Sequence, residues 1–105
     1  MPHFLKTKSE FDAALAGAGG KLVVVDFTAS WCGPCQRIAP IYENFSKTYC
    51  DVLFYKVDVD ENSDTSESEG IQAMPTFIFY KNGKKVETFT GANDKKLEET
   101  IKRLK

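Results

Sequence analysis

A chain of 105 residues, 42% of them hydrophobic and including eight Phe and four Tyr, is long enough to bury one core and too short for two. Its 14 basic and 15 acidic residues give a net charge of −1 and are spread along the sequence, which excludes a nucleic-acid or membrane surface built on charge. Three cysteines are too few, and odd in number, for a secreted disulfide framework; Met1–Lys6 has no apolar signal core and no apolar run is long enough to span a bilayer, so a soluble protein of the reducing cytoplasm is expected.

His3–Leu5 reads as a short first strand. Thr7-Lys8-Ser9-Glu10 has the form of a capping box and starts a helix with Phe11, Ala14, Leu15 and Ala18 on one face, which Gly17, Gly19 and Gly20 end. Lys21–Phe27 follows as a strand whose continuous apolar character predicts a central position covered on both faces. Asp26 is the one charge in it. If buried, its carboxyl needs a partner or a raised pKa, and a carboxyl titrating near neutrality can accept a proton. Strand parity puts it with Leu22 and Val24, and the alternative is an ordinary exposed strand residue.

Trp31-Cys32-Gly33-Pro34-Cys35 then stands between that strand and a helical pattern made by Ile38, Ile41, Tyr42, Phe45 and Tyr49. Two cysteines separated by two residues at a helix start bring both sulfurs to the first turn, within reach of a disulfide. The helix N-terminus stabilises a thiolate at Cys32, the candidate nucleophile. Pro34 suits a first helical turn, and Gly33 leaves room for another backbone. A structural zinc half-site is the competing use of such a pair, but only Cys50 and His3 remain as ligands beyond carboxylates, and neither has paired spacing. Pro40 removes one backbone bond and predicts a kink.

Val52–Asp60 reads as the next strand. Asn62-Ser63-Asp64 offers a cap for a short helix that Gly70 ends. Thr76–Tyr80, Asn82-Gly83 and Lys85–Thr90 form a predicted hairpin with a type I′ turn, in which the opposite parities of Val86 and Phe89 call for an edge strand or a bulge. Asn93 caps a last helix with Leu97, Ile101 and Leu104 on one face. Periodicity alone gives a small α/β domain with a mixed sheet.

The pentapeptide Trp31–Cys35, Asp26, Pro40, Met74-Pro75-Thr76 and Gly91-Ala92 together resemble the thioredoxin family in order and spacing across nearly the whole chain. The resemblance implies a single thioredoxin domain over residues 1–105, βαβαβαββα, with a central mixed five-stranded sheet flanked by four helices. It implies dithiol–disulfide exchange at Cys32 and Cys35, with Asp26 buried beneath them as proton acceptor and Lys56, on the neighbouring strand, near it. It also implies a cis Met74–Pro75 bond facing the disulfide, and a target-binding rim of Trp31, Ala73, Met74, Pro75, Thr76, Gly91 and Ala92. By the same resemblance the chain is a general protein-disulfide reductase without metal or cofactor of its own. It receives electrons from NADPH through the flavin of a separate thioredoxin reductase and passes them to targets such as ribonucleotide reductase, peroxiredoxins and methionine sulfoxide reductases.

No nucleic-acid or membrane partner is expected. The chain should be a monomer, with an oxidised dimer through Cys50 as the alternative and nuclear entry left open. Two rival readings remain. An oxidant or isomerase of the disulfide isomerase type would carry Cys-Gly-His-Cys and secretion or retention signals, both missing here; a binding module would use the cysteines only to sense redox state.

Overall fold

The residues Val23–Thr28 are all buried, and in the computed structural model, which describes residues 2–105, they form the middle strand of a five-stranded sheet. The elements run β1 (His3–Phe4), α1 (Lys8–Ala16), β2 (Val23–Thr28), α2 (Gly33–Thr48), β3 (Leu53–Asp58), α3 (Ser63–Ser68), β4 (Thr76–Lys81), β5 (Lys84–Thr90) and α4 (Asp94–Leu104). Strands lie in the order β1-β3-β2-β4-β5. β2 and β3, joined by the α2 crossover, are parallel, as are β1 and β3; β4 is antiparallel to both of its neighbours. This is the mixed sheet with four helices that the sequence resemblance implies.

The side chains of β2 alternate between two cores, as a strand covered on both faces requires. Leu22 and Val24 join Tyr42 and Ile38 of α2, Phe77 and Phe79 of β4, and Leu97 and Ile101 of α4. Val23, Val25 and Phe27 join Phe11 of α1, Val57 and Ile78 on the other face. Each large side chain buried this way contributes roughly 2 kcal/mol, whereas exposed pairs such as Lys8–Asp12 and Arg103–Glu87 are worth about 1 kcal/mol or less. The two cores, not surface charge, hold the sheet that carries the site.

Local signals explain most boundaries. Thr7 Oγ1 accepts from the Glu10 N–H at 3.0 Å, as a capping box predicts, but Glu10 reaches back to the N–H of Lys6 rather than that of Thr7. Asn62 and Asn93 cap α3 and α4 by accepting from Thr65 and Lys96. Asn82 and Gly83 both have positive φ, 54° and 77°, as a type I′ turn demands. The awkward parity of β5 is resolved by a register shift: Phe79 faces Glu87 and Tyr80 faces Lys85, so Val86 is the extra residue, exposed, while Phe89 returns to the core. Helix α2 runs unbroken through Pro40, which lies on its exposed side.

Candidate active site

β2 ends at Thr28, and a tight connection turns the chain into α2. The Cys32 N–H donates to the Ala29 carbonyl at 3.1 Å, and the Gln36 side-chain amide donates to the same oxygen at 3.1 Å. These bonds lock the loop onto the first turn of the helix. Cys32 is the N-cap of α2, Gly33 and Pro34 follow, and Cys35 completes the turn. Sulfur replaces the usual cap oxygen: the Cys35 N–H donates to Cys32 Sγ at 3.2 Å. A thiolate at Cys32 therefore has a helix-terminal donor aimed at it, with the positive end of the helix behind.

The two cysteines are joined by a disulfide, with their Cα atoms 5.3 Å apart. Cys32 retains 6% of its surface and Cys35 only 1%, so attack from outside reaches Cys32 first. Gly33 is exposed, and a Cβ placed there would meet nothing within 4 Å, which leaves its approach open. Among the described residues, no group of three or more His, Cys, Asp or Glu is placed to hold a metal ion.

Across from the disulfide lies the loop before β4. The Met74–Pro75 bond is cis, and Cys32 Sγ is 3.7 Å from the Met74 carbonyl oxygen. Met74 also packs against the cluster formed by Ala29, Cys32 and Cys35. The loop is pinned from behind: the Thr76 hydroxyl donates to the Ala73 carbonyl at 2.6 Å, and the Gly91 N–H donates to the Pro75 carbonyl at 2.9 Å. Gly91 holds φ at 103°, a conformation that a side chain would strain. Pro75 and Thr76 are buried and act as supports, while Ala73 and part of Met74 face outward. Ala92 lines a shallow concavity with Arg37, Ile38, Ile41 and Asp94.

Trp31 is 66% exposed beside the cysteines, which excludes a core role for this aromatic. Its indole Nε1–H donates to Asp60 Oδ2 at 2.8 Å. Asp60 is a site residue that the sequence reading missed; nothing in the Val57-Asp58-Val59-Asp60 pattern separates it from a surface acid.

Asp26 is fully buried, so the exposed-strand alternative fails. Neither carboxylate oxygen has a hydrogen-bond partner within the protein. Burial therefore pushes its pKa up to about 7, against a smaller lowering by the Lys56 charge. Lys56 pairs in register with Asp26 across β2 and β3 but acts through space, its Nζ resting 5.0 Å from the centre of the Phe4 ring. Tyr42, whose hydroxyl is 2.7 Å from the Tyr55 carbonyl and 3.0 Å from that of Val24, is pushed upward by burial and by the charge of Asp26, so its phenol stays neutral.

A family model described as Thioredoxin matches residues 3–103. Over 106 aligned residues the chain is 63% identical to a thioredoxin of Geodia cydonium, covering all of both sequences. It is 49% identical to the thioredoxin of Homo sapiens, covering 99% of each. The crystal structure of Fasciola hepatica thioredoxin superposes on it with a TM-score of 0.97 at 47% identity, covering all of both chains.

Proposed function

From the premise that the chain belongs to the thioredoxin family, we propose that it serves as a general protein-disulfide reductase fed by a thioredoxin reductase. Thioredoxins are protein-disulfide oxidoreductases, and this chain is one. The observation that carries the reading is a disulfide at the start of α2, its outer sulfur 3.7 Å from the Met74 carbonyl of the facing loop.

The Cys32 thiolate attacks one sulfur of a target disulfide, forming the Cys32–target bond and expelling the target's other sulfur as a thiolate. Met74 supplies backbone for an extended target segment to pair with, and Trp31, Ala73, Gly91 and Ala92 form the surrounding rim. Asp26 takes the proton of the Cys35 thiol. Cys35 then attacks Cys32 Sγ, closing the Cys32–Cys35 disulfide and releasing the target's second thiolate. Two electrons have passed to the target, and each leaving thiolate takes a proton from solvent or from Asp26.

Electrons return through a separate thioredoxin reductase, whose flavin draws them from NADPH, so the chain needs no cofactor of its own. Ribonucleotide reductase, peroxiredoxins and methionine sulfoxide reductases are the target classes proposed, and the cytoplasm the compartment. Supporting that compartment, Cys50 is an exposed thiol without a disulfide partner. Among the described residues, no helix is long and apolar enough to cross a membrane.

The test is reduction of insulin disulfides with NADPH and thioredoxin reductase. Catalytic turnover supports the reading. Reduction that stops after one equivalent per chain supports a redox-sensing binding module instead, and Cys35→Ser, which halts the cycle at the Cys32–target disulfide, identifies the targets by capture.

A further inference from the structure

Phe4, Lys56, Asp26, Phe77 and Phe89 form one row across all five strands, each in register with the next. Residues in register on neighbouring strands stand on the same face. Phe4 and Lys56 are therefore the outer end of a row whose middle is the buried carboxyl. At that end they face Gln36, Ala39, Pro40 and Glu43 of α2 across an opening of about 290 Å³.

A lysine beside a buried, unpartnered carboxylate has two ordinary choices: close on it, or extend into water. Lys56 does neither. No ion pair engages it among the described residues, and its ammonium stands over the face of Phe4 at 5.0 Å. Phe4 is itself unusual, since it is 40% exposed on a strand of two residues and so adds little to either core. Its place is nonetheless fixed by its neighbour. The Leu5 N–H donates to the Lys56 carbonyl at 2.8 Å, and Asn62 Nδ2 donates to the Leu5 carbonyl at 3.0 Å.

We propose that Phe4 is a positioning residue for Asp26: its ring holds the Lys56 ammonium at the mouth of the opening, keeps one positive charge close to the carboxyl, and thereby sets the pH at which that carboxyl exchanges its proton. The held charge favours the carboxylate and opposes burial. Without the ring, the ammonium moves into solvent and its field at Asp26 is screened. The other groups around Asp26 leave this assignment standing. From α2 come the neutral Tyr42 phenol, the Cys35 thiol of the reduced chain, which all the variants below share with the wild type, and, at the opening, Glu43; β4 presents uncharged Phe77, and β1 presents only Phe4. The effect on the titration of Asp26 is independent of its duty in catalysis. Only the consequence for rate rests on the proton-acceptor reading above.

The experiment is an NMR titration of the Asp26 side-chain carboxyl in the reduced full chain, alongside the pH profile of insulin reduction. Phe4→Leu should raise the Asp26 midpoint by about half a pH unit, the size of one partly screened charge. Lys56→Met should raise it at least as far, and the double variant no further than Lys56→Met alone. Phe4→Trp, which keeps an aromatic face, should retain the wild-type midpoint and shows that any shift in Phe4→Leu does not come from loss of the strand. An unchanged or lowered midpoint in Phe4→Leu overturns the proposal, as does a Phe4→Leu shift that persists in the Lys56→Met background. A midpoint that moves while the rate profile stays fixed supports the hold of Phe4 on Lys56 and removes Asp26 as proton acceptor.

Discussion

Trp31 and Asp60 are joined by a 2.8 Å hydrogen bond between residues 29 positions apart, which fixes an exposed indole beside the attacking sulfur. An exposed ring without that bond samples several rotamers, and a target must order it on docking. Asp60→Ala should therefore raise the KM for a protein disulfide by about two- to fivefold while leaving kcat nearly unchanged, which is about 0.5 to 1 kcal/mol, the size of one solvent-exposed hydrogen bond. Steady-state kinetics with insulin measure the split. A fall in kcat at constant KM would instead place Asp60 in the chemical steps.

The buried carboxyl of Asp26 makes stability depend on pH in a defined direction. Its folded pKa, about 7, lies above the ordinary value of 3.8. The folded state thus binds more protons than the unfolded chain between those values, and stability falls as pH rises through that window. The carboxyl's favourable contribution is complete below the lower value and gone above the upper one, a difference on the order of 4 kcal/mol. Asp26→Ala removes that dependence and leaves a small cavity. Urea denaturation should show the variant more stable than wild type by about 2 to 4 kcal/mol above about pH 8, with little or no gain in acid. It should also reduce insulin more slowly near neutrality, the deficit shrinking as alkali ionises Cys35 directly. A variant less stable in alkali and fully active near neutrality would return Asp26 to an ordinary paired residue.

Exposure and hydrogen bonding both favour Cys32 over Cys35 as nucleophile: 6% against 1% exposed, with the Cys35 N–H directed at Cys32 Sγ. Iodoacetamide at neutral pH should modify Cys32 in the reduced chain at least about tenfold faster than Cys35. Peptide mapping by mass spectrometry reads the ratio. Equal rates would require the attacking sulfur to be reassigned.

Cys50 lies in the connection between α2 and β3, exposed, with its sulfur 3.2 Å from the Lys47 carbonyl oxygen. Diamide should convert the chain to a covalent dimer on non-reducing gels, and Cys50→Ser should abolish it without loss of reductase activity. A dimer that survives in the variant would come through Cys32 or a non-covalent interface.

What the sequence made legible was local. Caps at Thr7, Asn62 and Asn93, the Asn82-Gly83 turn and the Val23–Phe27 run, apolar but for Asp26, each follow from chemistry confined to a few neighbouring residues, and the structure realises each of them. The cysteine pair was legible for the same reason, because its spacing is its geometry. Asp60 was not, since its partner stands 29 residues away and nothing in its own surroundings marks it. Phe4 was hidden in the same manner: its meaning comes from Lys56, which reaches it only through strand register. The face of Asp26 followed from parity, but its lack of any hydrogen-bond partner is a property of the packed core.

The bulge at Val86 bears on how this molecule can meet chains that expose unpaired strands, as damaged or partly unfolded proteins do. An open sheet edge would capture such chains indiscriminately and template aggregation. Here β5 is interrupted by the bulge and carries Lys84 and Lys85 before it, while the opposite edge, β1, is only two residues long. Neither rim offers the run of regular backbone that strand addition needs, so the backbone pairing proposed at Met74, 3.7 Å from Cys32 Sγ, faces no competing strand edge.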